Sequence, residues 1–507
     1  MSYCNRRDFL KRAAAGGFVA ATFAAGGTKA SGRVLGANER IRVAVAGING
    51  RGVEHIREYC RMKNVEVAYL VDPDSRLFGS RSEMVKRRAG NTPKCVQNLR
   101  TILDDKNLDV VSIAAPNHWH SLLGIWACQA GKDVYVEKPC SHNIAEGRRL
   151  VEAARRYDRI VQHGTQNRSD AKWAKQVAAA RSGKYGRLLI SYGYASKPRR
   201  SIGFKPPTEP PKELNFDLWL GPAPQQAYHA NLVHYNWHWF WDFGNGEIGN
   251  QGVHQMDVAR WAMPDGAAPL SVVSLGGRFG YKDQGQTPNT QLTIIDFGGP
   301  KIIFEDRGLV DNRHGKVTNE FHTDAGVIKD GKFFAKGAKE GEPLADVEFS
   351  LHPGGPFGNF IDCVRSRKRE NLNAEILEGH RSALLCHLGN ISYQLGSEVS
   401  FNKGADVLGS DKAVGRALES MKRHLARMAK LDLETATYRL GRKLAFDAAA
   451  EKFVGDAEAN RRLAGPRRDG YIVPDIGASG SIFPPPTGAK QLPASAQAAE
   501  VTVERRT

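Results

Sequence analysis

The sequence lacks the features of several large classes of protein. Its seven cysteines form no Cys-x-x-Cys pair and no metal-ligand spacing, and they are too dispersed for a disulfide framework. We therefore expect buried free thiols and no bound metal. No apolar run beyond the N-terminal region is long enough to cross a bilayer, and the chain contains no internal repeats.

The sequence also lacks the charge pattern of a nucleic-acid-binding protein, although its net charge is strongly positive. Lys and Arg number 72 against 54 Asp and Glu, which gives a formal charge of +18. The basic residues are scattered, and no helix carries them on one face with interleaved aromatics. A diffuse positive field suits an anionic cofactor or acidic polymers outside the cell equally well. The length of 507 residues predicts two to four domains.

The N-terminal segment 1–30 has the pattern of an export signal. Arg6 and Arg7 precede an Ala/Gly-rich apolar stretch at 13–27, and Thr28-Lys29-Ala30 offers small residues for cleavage. This order predicts a twin-arginine signal peptide over 1–30, a partner in the twin-arginine export machinery, and a periplasmic or other extracytoplasmic location. Proteins exported by this route fold before they cross the membrane, often around a cofactor, so we expect any cofactor to be retained.

Residues 38–165 predict a nucleotide-binding Rossmann domain. A β-branched strand at 41–46 leads into a glycine-rich turn at 47–52 and a helix, and the next strand ends at Asp72. In this fingerprint, backbone N–H groups approach a pyrophosphate at the helix N-terminus, and the acidic residue binds the ribose hydroxyls. The middle glycine of Gly-x-Gly-x-x-Gly falls on Asn49. Because Asn tolerates positive φ, we expect the turn to form.

The acidic residue also bears on the choice of cofactor. Asp72 repels a 2′-phosphate and favours NAD, whereas the nearby Arg76 keeps NADP open as an alternative. Strands continue to alternate with helices as far as about residue 162, which predicts a parallel, doubly wound sheet with ligands beyond the carboxyl ends of its strands. The predicted cofactor-binding residues are Gly47, Asn49, Gly50, Arg51, Gly52, Asp72, Arg76, Pro116, Asn117, His120, Glu137 and Lys138.

The remainder of the chain has a different pattern. Short strands and longer loops over 166–400 predict an α+β substrate and oligomerisation domain with a mostly antiparallel open sheet, so the fold class is α/β. A helix is predicted at 371–395, a helical extension at 401–464, and an irregular or disordered tail at 465–507.

A predicted helix at 250–263, ended by Pro264, carries the candidate base. Asn250, His254 and Asp257 share one face of it, and histidine is suited to accept a hydroxyl proton near neutral pH. An aromatic-dense stretch at 235–243 precedes this helix; we expect at least two of its three tryptophans to be core residues. The basic residues at 197–200 are interpreted as a solvated loop. The candidate substrate-binding residues are Gln166, Arg168, Trp237, Trp239 and His254.

Together these elements resemble the glucose–fructose oxidoreductase/inositol dehydrogenase (Gfo/Idh/MocA) family over about residues 38–400. The motifs that carry the resemblance are the glycine turn, Ala115-Pro116-Asn117, Glu137-Lys138-Pro139 and the Gly-x-His-x-x-Asp of 252–257. The resemblance implies that Lys138 lies beside the nicotinamide and the reacting hydroxyl, with His254 as the base. It also implies that the helix at 371–395 packs back on the first domain and that the chain forms a dimer or tetramer.

One departure from the family pattern affects the catalytic site. The family carries Asp-x-Gly-x-His, and this chain has Asn250 in place of the aspartate. Catalytic roles are therefore assigned to Lys138, His254, Asn250 and Asp257, and the charge partner of the base is left open between Asp257 and Glu247.

The resemblance implies NAD(P)-dependent hydride transfer at a hydroxyl of a sugar, polyol or glycoside. Two alternatives stay open. One is an NAD-dependent glycosidase, similar to the α-N-acetylgalactosaminidases, that uses transient 3-keto oxidation and elimination. The other is a non-catalytic sugar-binding protein, which the Asn250 replacement alone supports.

Overall fold

A computed structural model describes residues 27–28, 33–34, 40–311, 314–401, 408–409 and 411–477. Apart from a short pairing of Gly27–Thr28 with Arg33–Val34, the predicted signal peptide lies outside the described residues. The part of the predicted tail beyond residue 477 also lies outside them.

The first domain is a six-stranded, wholly parallel sheet with helices on both faces, as the sequence predicts. Its strands are β1 (Ile41–Ala46), β2 (Val65–Val71), β3 (Lys94–Val96), β4 (Val110–Ile113), β5 (Asp133–Val136) and β6 (Val161–His163). Its helices are α1 (Gly52–Arg61), α2 (Phe78–Ala89), α3 (Asn117–Gln129) and α4 (Ile144–Arg156). The strand order is β3-β2-β1-β4-β5-β6, so the direction of winding reverses between β1 and β4. Ligands of such sheets bind at this reversal.

The second domain has the predicted mixed, mostly antiparallel sheet. Its strands are β7 (Leu188–Ser196), β8 (Ser271–Gly277), β9 (Thr290–Asp296), β10 (Lys301–Arg307), β11 (Lys316–Thr323), β12 (Gly326–Lys329), β13 (Lys332–Ala335), β14 (Glu342–Pro343), β15 (Ser397–Ser400), β16 (Thr437–Leu440), β17 (Leu444–Asp447) and β18 (Lys452–Phe453). Its helices, and those that follow, are α5 (Ala171–Arg181), α6 (Phe216–Leu220), α7 (Gly246–Asn250), α8 (Gly252–Trp261), α9 (Gly355–Ser366), α10 (Ile376–Gln394), α11 (Lys412–Met428) and α12 (Ala457–Arg461). Strands β7 and β10 pair in parallel, and the other strand pairs described in this sheet are antiparallel.

Helix α10 joins the two domains. Ile376 and Ala383 belong to the apolar core of the first domain, and Leu384 and Leu388 belong to the core of the second. The helix is predicted to begin at 371 and begins at Ile376 instead, because residues 369–371 form a separate 3-10 turn.

The predicted helical extension at 401–464 is wrong over its middle part. Helix α11 ends at Met428, and β16 and β17 then pair with β8 at the edge of the second sheet. Along β17, buried and exposed residues alternate, which is the period of a strand with one buried face. The Ala-, Leu-, Lys- and Arg-rich composition that predicted a helix is therefore overridden by pairing with a sheet edge.

Residues 465–477, predicted as irregular, contain no helix or strand, yet they pack against the first domain. Tyr471 and Ile476 are buried in its apolar core. Within the described part of the chain, no helix is both long and apolar enough to cross a membrane.

Candidate active site

A cleft of about 1280 Å³ lies beyond the carboxyl ends of the first-domain strands and is walled on its far side by residues between 218 and 250. Its position is the one expected for a ligand site on a doubly wound sheet. Ten of the predicted cofactor-binding residues line it: Gly47, Asn49, Gly50, Arg51, Asp72, Pro116, Asn117, His120, Glu137 and Lys138.

The glycine turn leaves room for a ligand at the N-terminus of α1. Gly47 has a φ of +82°, and a Cβ there would lie 2.6 Å from the backbone of Ala114. A Cβ at Gly52 would lie 1.8 Å from the carbonyl oxygen of Gly47, whereas a Cβ at Gly50 would meet nothing within 4 Å. The expectation that Asn49 uses positive φ is wrong, because Gly47 takes the left-handed conformation in this turn. The open N-terminus suits a pyrophosphate.

The end of β2 supplies the carboxylate expected at the ribose position. Asp72 accepts hydrogen bonds from the backbone N–H of Ile48 at 2.9 Å and of Asp74 at 3.0 Å, and burial raises its pKa. Arg76 does not line the cleft, because it is paired with Asp74 at 2.5 Å. Asp74 also binds His234 at 2.7 Å. The sequence argument that Arg76 keeps NADP open therefore has no support in the geometry, and the residues present fit NAD.

Glu137 is a buried charged residue beneath the middle of the cleft. Its Oε1 accepts hydrogen bonds from Arg51 Nε at 2.8 Å and Gln166 Nε2 at 3.2 Å, and lies 3.3 Å from His55 Nε2. Burial alone would raise the pKa of Glu137, but the His55 hydrogen bond and the charges of Arg51 and Lys138 hold it well below its usual value. Gln166, predicted to bind substrate, does not line the cleft and holds Glu137 instead.

Lys138 extends from the end of β5 towards the second domain. Its Nζ donates to the carbonyl oxygen of Asn250 at 2.9 Å and to the Asn250 side-chain Oδ1 at 3.3 Å. Burial lowers the pKa of Lys138, and the charges of Glu137 and Glu247 oppose that shift. The peptide bond from Lys138 to Pro139 is cis, a form that the sequence permits.

The predicted helix at 250–263 is two helices, α7 and α8, separated at Gln251. Close packing accounts for a glycine at the start of α8, since a Cβ on Gly252 would lie 2.5 Å from the ring of Phe304. His254, predicted to bind substrate, lies in the first turn of α8 and does not line the cleft. Burial and the charge of Lys138 lower its pKa to about 3, so the imidazole is neutral at physiological pH.

Sequence reasoning named Glu247 as a candidate charge partner but missed its ion pair with Arg199 behind Asn250. Glu247 is buried and forms a two-point ion pair with Arg199, with Nη2–Oε1 and Nε–Oε2 distances of 2.5 and 2.8 Å. Asn250 Nδ2 donates to Glu247 Oε2 at 3.3 Å. The interpretation of 197–200 as a solvated loop is therefore wrong for Arg199, whose guanidinium lies 5.3 Å from the ring centroid of Trp239. No local sequence signal links Arg199 to a carboxylate in a distant part of the chain.

Asp257 and Arg168 are not brought to the cleft. Arg168 Nε lies 2.9 Å from both carboxylate oxygens of Asp257, and Ser382 on α10 donates to the same carboxylate at 2.6 Å. Both side chains are buried, and neither lines the cleft. The face of α8 that carries Asp257 is turned towards α10, so this carboxylate links the domains. Of the two carboxylates left open as the charge partner, the structure places Glu247, and not Asp257, behind Asn250.

The aromatic stretch contributes one of the two tryptophans predicted to bind substrate, together with two residues that were not predicted. Trp237 lines the cleft, as do Tyr235 and His238, whereas Trp239 is buried beneath Arg199. Trp237 and His238 are stacked, with ring centroids 3.6 Å apart. Sequence reasoning did not single out Tyr235 or His238.

Two further first-domain residues shape the same end of the cleft. His120 lies 2.6 Å from the carbonyl oxygens of both Ala115 and Pro139, so it ties together the turns after β4 and β5. Asn117 is buried and accepts a hydrogen bond from Asn245 at 3.5 Å.

Comparisons with known proteins agree with this architecture. A family profile described as "Oxidoreductase family, NAD-binding Rossmann fold" matches residues 41–165, and one described as "Oxidoreductase family, C-terminal alpha/beta domain" matches residues 202–428. The WlbA dehydrogenase from Chromobacterium violaceum, solved with NADH and UDP-GlcNAcA, superposes with a TM-score of 0.52 at 18% identity, covering 71% of this chain and 95% of that one. The WlbA dehydrogenase from Bordetella pertussis gives a TM-score of 0.50 at 17% identity, covering 68% and 94%. These two likenesses show the fold.

Among curated proteins, the chain is similar to glycosidases over part of its length. It is 26% identical over 212 residues to Glycosyl hydrolase family 109 protein 1 of Shewanella sp. (strain ANA-3), covering 37% of this chain and 45% of the relative. It is 24% identical over 210 residues to an alpha-N-acetylgalactosaminidase of Shewanella oneidensis, with the same coverage of 37% and 45%. The chain thus spans less than half the length of the curated relatives it matches.

Proposed function

Because the chain belongs to the Gfo/Idh/MocA oxidoreductase family and its first domain is an NAD-binding Rossmann domain, we propose that it oxidises a hydroxyl group of a sugar, polyol or glycoside by hydride transfer to NAD. One observation carries this proposal. The ammonium group of Lys138 is held by Asn250 at the inner end of the cleft, and its charge acts on a neutral His254.

The residues present divide the chemistry between them. NAD, when bound, supplies the hydride acceptor. Two of the three N–H bonds of Lys138 Nζ point to the oxygens of Asn250, which leaves one for the substrate hydroxyl. A positive charge at that point stabilises the oxygen as negative charge develops on it. The neutral imidazole of His254 takes the proton from the hydroxyl oxygen, while the hydride leaves the carbon that bears this oxygen and a carbonyl forms.

The ion pair of Arg199 and Glu247 takes the place of the carboxylate that the family pattern puts at residue 250. Asn250 is uncharged, but its side chain binds both Lys138 and Glu247. The charge of Glu247 raises the pKa of Lys138 and so favours the ammonium form at this depth of burial. We assign Glu247 a positioning role in which it acts through Asn250 and Lys138.

The similarity to Glycosyl hydrolase family 109 proteins favours a second candidate, an NAD-dependent glycosidase. Its first step is the same oxidation. The ketone acidifies the neighbouring C–H bond, so a base can remove that proton as the aglycone departs. Water then adds to the alkene, and return of the hydride to the carbonyl carbon restores the alcohol. The overall reaction is hydrolysis without net oxidation.

We further propose that the chain is exported by the twin-arginine route, retains its cofactor and forms a homo-oligomer. The signal pattern at 1–30 supports export, and the need for NAD outside the cytosol supports retention. Oligomerisation rests on the family resemblance alone. Size-exclusion chromatography with light scattering measures it, and a monomer would refute it.

The first experiment is to purify the protein without added nucleotide, denature it and quantify released NAD(H) and NADP(H) by mass spectrometry. We expect near-stoichiometric NAD. A protein that is empty and also fails to bind added NAD or NADP would contradict the proposal and favour a sugar-binding protein. Screening then separates the two enzymes, since hydrolysis of an aryl glycoside without net NADH identifies a glycosidase, whereas net NADH identifies a dehydrogenase.

A further inference from the structure

A second polar cavity lies on the side of the second sheet remote from α8 and α10. It occupies about 500 Å³ between the outer face of that sheet and α11. The apolar side of α11 covers one half of this face, where Leu418 and Met421 pack in one core cluster with Leu275 and Leu292. The other half is polar and forms the floor of the cavity. We call this cavity the α11 seam.

The α11 seam has an excess of positive charge. Arg307, Lys316, Arg416 and Arg427 line it, against one carboxylate, that of Glu305. Glu305 is already engaged, because it pairs with Arg307 and accepts a hydrogen bond from a tyrosine hydroxyl. Lys316 is paired with a nearby glutamate at 2.9 Å. Arg416 and Arg427 are exposed, and neither forms an ion pair with any residue of the described chain, so their charges are balanced by solvent alone.

The seam also contains buried hydrogen-bonding groups without partners. His424 is 8% exposed and lines the cavity, and its Nε2 has no hydrogen-bond partner among the described residues. The same is true of Arg307 Nε. Buried polar atoms of native proteins are almost always hydrogen-bonded, so two orphan groups at one cavity require a missing partner. Burial and the charges of Arg307 and Arg427 lower the pKa of His424 to about 4.

We propose that the α11 seam binds a tetrahedral oxyanion, either free sulfate or phosphate or the same group as a substituent of a carbohydrate. Such an anion accepts hydrogen bonds from the orphan groups of Arg307 and His424 and neutralises the uncompensated arginines. This site is distinct from the cofactor cleft and does not depend on the proposed hydride transfer.

The test uses two neighbouring arginines of α11. Both side chains are exposed, but Arg427 lines the seam, whereas Arg423, one turn earlier on the same helix, does not. The substitutions Arg427→Gln and Arg423→Gln therefore remove the same charge from the same helix, and only one of them alters the site. Sodium sulfate is titrated calorimetrically into the full chain in saturating NAD, which fills the pyrophosphate position, and sodium chloride of equal ionic strength is the reference.

We expect saturable sulfate binding that R427Q weakens by about tenfold, the effect of losing one charge-assisted hydrogen bond, and that R423Q leaves unchanged. The absence of saturable heat above chloride, or equal weakening by the two variants, would overturn the proposal. Titration with a sulfated monosaccharide then identifies the source of the anion. Tighter binding than that of inorganic sulfate indicates a carbohydrate substituent, and equal binding indicates the free ion.

Discussion

At the scale of single residues, the proposed chemistry depends on a lysine that stays protonated in a buried position. Lys138 is held by both oxygens of Asn250, and Asn250 is held in turn by Glu247. Desolvation disfavours the ammonium, so the negative charge behind Asn250 offsets part of that cost. With Asn250 in place of the family aspartate, the carboxylate lies one hydrogen bond further away. Its charge still raises the pKa of Lys138, and the charge of Arg199 opposes part of this effect.

This arrangement predicts a specific pH dependence. Burial has already lowered the pKa of Lys138, and Glu247→Gln removes a charge that raises it. Activity that needs the ammonium is lost as pH rises through this pKa, so the alkaline limb of kcat/KM shifts to lower pH. We expect a shift of about one pH unit. The matched control is Glu320→Gln, which removes a carboxylate from the outer side of the second sheet. An unshifted limb in E247Q, or an equal shift in both variants, would refute the positioning role.

His254 gives a second prediction at this scale. Its imidazole is neutral, with a pKa lowered to about 3 by burial and by the charge of Lys138, so it can accept a proton throughout the neutral range. His254→Ala should lower kcat about 10²–10⁴-fold, the usual contribution of a general base. The variant should still retain NAD, because His254 does not line the cofactor cleft. If H254A leaves turnover of every accepted substrate unchanged, the catalytic assignment is wrong.

At the scale of elements, the glycine turn between β1 and α1 can be tested by two small substitutions. Gly52→Ala places a methyl group 1.8 Å from the carbonyl oxygen of Gly47, whereas Gly50→Ala places it in open space. Relief of the first clash must displace the turn, and we expect a loss of about 1–3 kcal/mol in the free energy of unfolding. Denaturant unfolding of the nucleotide-free variants measures this loss. A G52A variant as stable as G50A would contradict the close packing described for this turn.

At this scale, the sequence predicts the elements whose residue patterns lie within one short stretch of the chain, and it does not predict those that depend on contacts between distant stretches. The strand, turn, helix and Asp72 of the first domain follow one another without interruption from Ile41 onwards, and each step has its own residue pattern. The strands at 437–447 form only because β8 offers an edge, and the composition around them favours helix. The pairing of Arg199 with Glu247 and the turning of Asp257 towards Arg168 depend on tertiary contacts, which spacing along one chain does not encode.

At the scale of the whole molecule, the segment 465–477 packs behind one wall of the cofactor cleft. Trp119 and Trp126 line the cleft near the end of β3, and Tyr471 packs against both rings at centroid distances of 5.5 and 6.5 Å. The guanidinium of Arg100 lies 5.2 Å from the rings of both Trp126 and Tyr471. A segment that follows the whole second domain in the sequence therefore supports an aromatic wall of the cleft, and we propose that this wall contributes to retention of the cofactor.

Tyr471→Ala should consequently weaken the binding of NAD. Loss of the buried ring should destabilise the protein by about 2–4 kcal/mol and free the two tryptophans to move, so bound nucleotide should dissociate faster. The measurement is the NAD that remains bound after size-exclusion chromatography, compared between variants. Ile472→Ala is the matched control, because its side chain belongs to the same segment but is 64% exposed. Equal retention of NAD by Y471A, I472A and the unaltered protein would show that the aromatic wall does not need support from the segment 465–477. Retention would then depend on the first domain and residues 218–250 alone.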